Sequence, residues 1–170
     1  MNFKWIGAIL IILSCGGFGI CLAFSHRKEE AALRQLVSAL DYMECELQFR
    51  LTPLPDLCRQ AGNESKGAVR NVLLKLAGEL EAQVAPDVAS CMRSALSNGE
   101  GIPVRTKEAL TLMGQSLGRF DLPGQLKGLD AVRASCRGEL EALNNNRDVR
   151  LRSYQTLGFC AGAALAILFI

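Results

Sequence analysis

The chain has 170 residues, 49% of them hydrophobic and 21% charged, and its 19 Lys and Arg nearly balance 17 Asp and Glu to leave a net charge of +2. With aromatics at only 6% and no basic run, that balance argues against nucleic-acid binding through a charged patch. The 7 cysteines form no CxxC pair and have a single histidine for company, so a zinc site is not expected either.

Trp5 to Phe24 carries no charge. At about 1.5 Å per residue it is long enough to cross roughly 30 Å of hydrocarbon, which predicts an N-terminal transmembrane helix over residues 1–25. A secretory signal fits less well, because the apolar stretch is too long for one. A lipoprotein cleaved before Cys15 would leave an apolar mature start, which is equally awkward. The small residues Cys15, Gly19 and Ala23 fall four apart, a spacing that lets membrane helices approach closely.

Residues 26–153 read as one helical bundle, with no alternating pattern that suggests a strand. The first helix is predicted from about Glu29 to Leu51, with Leu33, Leu36, Val37, Leu40, Met43 and Leu47 forming one apolar stripe. Pro53 and Pro55 break it, and Pro55 is suited to open a short helix reaching Ala61, with Gly62 and Asn63 as its stop. A third helix spans about Lys66 to Gln83 and buries Val69, Val72, Leu73, Leu76 and Leu80. Pro86 opens a fourth, with Val88, Cys91, Met92, Ala95 and Leu96 inward and Asn98 and Gly99 ending it. Thr106 to Phe120 is the fifth, lined by Leu110, Met113, Leu117 and Phe120. The sixth starts near Pro123, with Asp121 as its N-cap and Gln125 one residue beyond the capping-box position. It buries Leu126, Leu129, Val132, Cys136, Leu140 and Leu143, then passes through an arginine-rich stretch into a C-terminal transmembrane helix over residues 154–170. Gly158, Gly162 and Ala166 repeat the small-residue spacing there.

The fold class is therefore all-α: an antiparallel bundle of about six helices between two membrane segments. Arg27, Lys28, Arg34, Arg147, Arg150 and Arg152 flank the spans on the bundle side, against Lys4 on the other. Positive charge marks the cytoplasmic face, which places the bundle in the cytoplasm. Cys45, Cys58, Cys91 and Cys136 then read as small buried thiols in a reducing compartment.

No constellation suited to catalysis is present: P-loop, GxSxG and HExxH patterns are all missing from the sequence. Glu44 with Glu46, and Glu139 with Glu141, are spaced two apart, do not face each other on a helix, and read as solvated surface. The expectation is a protein without enzymatic activity, cofactor, metal or small-molecule substrate. A membrane-anchored signalling or relay module is the alternative, although the segment before Lys4 is too short to sense anything.

Three stretches carry a resemblance. They are Leu51, Thr52, Pro53, Leu54 and Pro55; then Gly114 through Asp121 with Gln125 following; then Tyr154, Leu157, Gly158 and Gly162 at the head of the apolar tail. In this order and at this length the chain resembles the stage III sporulation protein AB family. Phe159 and Cys160 stand where a more aliphatic pair is usual. The resemblance implies a non-enzymatic platform or scaffold subunit of the channel complex between mother cell and forespore, in the mother-cell membrane facing the forespore. It further implies a bundle similar to the cytoplasmic domain of the platform protein in type II secretion and type IV pilus systems. The implied partners are the complex's cytoplasmic ATPase, its other membrane subunits and membrane lipid, with no nucleic acid, and a homo-oligomer is compatible. Thr52, Pro53, Pro55, Leu117, Gly118, Asp121 and Gln125 are the implied structural motif positions, and Gly19, Gly158 and Gly162 the membrane packing positions.

Overall fold

A computed structural model describes the backbone of residues 27–97, 99 and 101–169, with side chains as far as residue 145. Among these residues the chain is helical without strands: α1 (27–49), α2 (Leu54–Glu64), α3 (Gly67–Glu81), α4 (Val88–Ser97), α5 (Val104–Ser116) and α6 (Leu122–Phe169). Glu29–Leu140 forms one compact unit. The other takes residues 1–28 and 141–170; its described part is helical, as the first two residues of α1 and the later part of α6. The predicted N-terminal span, with Gly19, lies outside the described residues. Gly158 and Gly162 fall within α6. No described helix is long and apolar enough to cross a membrane.

In the unit Glu29–Leu140, α2 packs on α3, α3 on α4 and α4 on α5. Every helix sends apolar side chains inward. Leu36, Leu40 and Met43 of α1, Leu57 of α2, Leu73 and Leu76 of α3, Met92 of α4, Leu110 and Met113 of α5 and Leu129 of α6 are fully buried. Each contributes about 1.5–3 kcal/mol of burial, which stabilises helices too short to persist alone. The predicted stripes hold with local exceptions. Val37, Leu80, Val88, Leu126, Leu140 and Leu143 are only half-buried.

The boundaries depart from the predicted ones where glycine or an extended residue was misread. Gly62 and Asn63 do not stop α2, which runs on to Glu64. A Cβ at Gly62 would lie 3.0 Å from the Leu74 side chain and 3.2 Å from its backbone nitrogen, so this glycine is a seat for α3. The actual stop is Ser65, whose N–H donates to the Ala61 and Gly62 carbonyls and whose hydroxyl donates to Ala61. Pro86 lies before α4; Asp87 caps that helix, its Oδ2 accepting from the Ser90 N–H at 3.2 Å.

The largest correction is at the end of α5. The helix starts two residues early and leaves the helical region at Leu117, which is extended at φ −78° and ψ 138°. Leu117 stays buried, but the phase is lost, and Phe120 is 52% exposed instead of lining the core. The predicted buried thiols need a similar correction. Cys58, Cys91 and Cys136 are buried, whereas Cys45 is exposed, because α1 turns its Ser38, Asp41, Cys45 and Gln48 face to solvent.

Ion pairs set the register of α6 on its neighbours. Arg133 donates to Asp41 of α1 at 3.0 Å and also reaches Glu44 and, within α6, Asp130. Arg137 donates to Asp41 at 3.3 Å. Arg105 of α5 meets Glu139, and Glu29 at 3.4 Å. Glu44 and Glu139 are therefore paired, where solvated surface was expected, while Glu141 is exposed.

Candidate functional site

The α5–α6 connection meets the starts of α2 and α4. Gly118 shows the meeting directly. A Cβ there would lie 2.6 Å from Val88 Cγ2, at the start of α4, and 3.2 Å from Leu54 Cδ1, at the start of α2. Two motif pieces far apart in sequence thus share one end.

In the first piece, Leu51 takes the left-handed conformation at φ 54° and ends α1. Pro53 follows as the N-cap residue of α2 in an extended conformation. Pro55 sits in the first turn, where its missing N–H leaves no bond unmade. Thr52 Oγ1 donates to Glu46 Oε2 at 3.0 Å, and Arg50 lies 3.3 Å from Glu46 Oε1. Glu46, expected at the surface, is only 8% exposed. These two partners satisfy the carboxylate, and it latches the turn onto α1.

In the second piece, Leu117 is buried and Gly118 turns the chain at φ 71°. Asp121 Oδ1 accepts from the Gly124 N–H at 3.3 Å, which is the predicted N-cap of α6. Gln125 closes the turn instead of completing a capping box. Its Oε1 accepts from the Gly118 N–H at 3.3 Å, and its Nε2 donates to the Phe120 carbonyl at 2.9 Å. The seven motif positions thus lie in two turns, where Pro53, Pro55, Gly118, Asp121 and Gln125 set the backbone, Thr52 bonds Glu46 and Leu117 fills the core.

This end of the bundle displays large apolar side chains; from sequence, Phe49 and Val84 had no assigned role and Phe120 was placed in the core. Phe49 is 75% exposed, Leu51 68%, Val84 65% and Phe120 52%. The Arg119 guanidinium lies 5.8 Å from the centre of the Phe120 ring, within cation–π reach. An open groove at the α3–α4 connection is lined by Leu80, Val84, Pro86 and Val88 together with the polar Gln83 and Asp87. One signal was available in the sequence: Phe49 falls out of phase with the α1 stripe directly before the proline break.

Elsewhere, polar and thiol groups are held in unreactive states. Burial pushes the Cys58 thiol up to about 12. Burial, with Glu139 beside it, takes Cys136 to about 11. Thiols this high are protonated at neutral pH and are poor nucleophiles. The Ser90 hydroxyl holds Asp87 below the usual carboxylate range. Among the described residues no three metal-ligating side chains converge.

The fold and this end define a class: a small all-helical bundle with one apolar, arginine-flanked end. The model of the family Stage III sporulation protein AB matches residues 4–170, and the chain belongs to that family. A solved structure of a Stage III sporulation protein AB is similar with a TM-score of 0.63, covering 72% of this chain and 98% of that one. At 18% identity, this likeness shows the shared fold. No curated protein matches the chain.

Proposed function

We propose that the chain is a non-enzymatic platform subunit of the mother cell–forespore channel complex, held in the mother-cell membrane with its bundle in the cytoplasm. The carrying observation is geometric. Two motif pieces far apart in sequence meet at one end through Gly118, and Thr52, Asp121 and Gln125 hydrogen-bond to hold the turns there. The family match reaches across both apolar ends of the sequence, and the arginines beside them supply the orientation. On this reading the complex's ATPase and membrane subunits are the partners, and the bundle needs no cofactor.

The change Lys107→Cys, on the exposed face of α5, tests the placement in a variant whose native cysteines are replaced. It should resist a membrane-impermeant maleimide in intact sporulating cells and react after permeabilisation. The full chain should also co-isolate with the other complex subunits. Labelling in intact cells would overturn the cytoplasmic placement, and isolation of the chain alone would overturn the platform role.

A further inference from the structure

We propose that α6 carries a built-in joint over residues 141–146, where the helix opens and recloses locally while residues 122–140 stay folded.

The reason is a change in what holds the helix. As far as Leu140, the successive turns of α6 are tied to the bundle. Leu129, Val132 and Cys136 are buried. Arg133 donates to Asp41 of α1 at 3.0 Å, and Arg137 donates to the same carboxylate at 3.3 Å. Glu139 meets Arg105, which also lies 3.4 Å from Glu29. Arg105 thus clasps the first residue of the compact unit Glu29–Leu140 to its last turn on α6. Beyond that clasp the ties stop. Glu141, Ala142, Asn144 and Asn145 are exposed, and Leu143 is half-buried. None of the five makes a side-chain hydrogen bond or ion pair among the described residues. The boundary of the compact unit falls at this same place.

Composition weakens the same stretch. Residues 144–146 are all asparagine. Asparagine stands low among ordinary residues in helix propensity, because its short amide competes for the backbone groups that a helix needs. Three in succession compound the loss, and helix without packing against a neighbour is marginal in water. The backbone is nevertheless helical here, inside a helix of 48 residues. The opening is therefore a minor state of the kind that hydrogen exchange detects, and not a break.

Gly138 is the rival weak point. Glycine is a poorer helix former than asparagine, and space is open where its Cβ would lie. Its turn, however, is held by buried Cys136 and by the ion pairs of Arg137 and Glu139. Placement of the joint just past the Arg105 clasp gives it a use. An unbroken helix passes a tilt at one end to the other, whereas a short stretch that opens absorbs the tilt and spares the packed core.

Hydrogen exchange of the full chain in lipid nanodiscs, read by mass spectrometry on peptides covering 129–139 and 141–147, tests the joint without reference to the platform reading. The 141–147 amides should exchange at least about tenfold faster than those of 129–139. Replacing all three asparagines (Asn144→Ala, Asn145→Ala and Asn146→Ala) should slow 141–147 by about tenfold and leave 129–139 unchanged. Gly138→Ala should leave 141–147 unchanged. Proline gives a second readout, because it breaks a helix interior. Asn145→Pro should leave the cooperative thermal transition within a few degrees, whereas Ala134→Pro, exposed in the tied part of α6, should lower it by about 10 °C or more. Equal protection on both sides of Leu140, or exchange of 141–147 unmoved by the triple alanine variant, would overturn the proposal. So would exchange there slowed as much by Gly138→Ala, or a transition lowered as far by Asn145→Pro as by Ala134→Pro.

Discussion

Gly118 is the residue on which the motif end depends most. Its φ of 71° belongs to the left-handed region, and a Cβ would press on Val88 and Leu54. Gly118→Ala combines backbone strain with a clash and should cost about 1–3 kcal/mol, read as a lower urea midpoint for the full chain in detergent. An unchanged midpoint would mean that the turn is not held as described. Cys58 makes a second prediction, in pH. A thiol in the unfolded chain titrates near 8.5, whereas Cys58 is pushed up to about 12 in the fold. Above about pH 9 the unfolded chain therefore holds fewer protons than the native one, and stability falls as pH rises toward 12. Below about pH 8.5 there is no such effect. Cys58→Ala should make that alkaline decline shallower, with Cys136, raised to about 11, supplying part of what remains, and an identical slope in the variant would remove Cys58 as a source.

At the scale of the element, α6 is the helix with the most at stake at its start. It opens at a turn clasped by Asp121 and Gln125, which satisfy the Gly124 and Gly118 N–H groups and the Phe120 carbonyl. Asp121→Ala removes the cap and should cost about 1 kcal/mol, while Asp121→Asn should lose little. Equal losses in the two would point to charge rather than hydrogen bonding. The ion pairs of Arg133 and Arg137 are partly exposed, so each adds little stability. Their use is to fix how far α6 slides along α1.

For the unit Glu29–Leu140 as a whole, the contrast between Leu117 and Phe120 is the decisive one. Both were predicted to line the core. Leu117 is 1% exposed and Phe120 52%. Leu117→Asp buries an unpaired charge and should abolish the cooperative thermal transition. Phe120→Asp, on a solvated ring, should leave that transition within a few degrees. If both unfold the chain, α5 continues as originally predicted and the exposed end does not exist.

The helices themselves were legible in the sequence. Apolar residues at three- and four-residue steps, broken by prolines, mark each amphipathic stripe, because burying one helical face is a local requirement written into spacing. The family was legible too, through Thr52, Pro53, Leu117, Gly118 and Asp121 in order. What spacing could not carry was the meeting of distant pieces. That Gly62 seats α3 instead of stopping α2, that Glu46 is latched by Thr52, and that Phe120 escapes the core once Leu117 leaves the helix all depend on neighbours from other helices. Periodicity reports which face of one helix is apolar. Only packing decides which glycine is a contact, which carboxylate is satisfied and which apolar residues are left over at the surface.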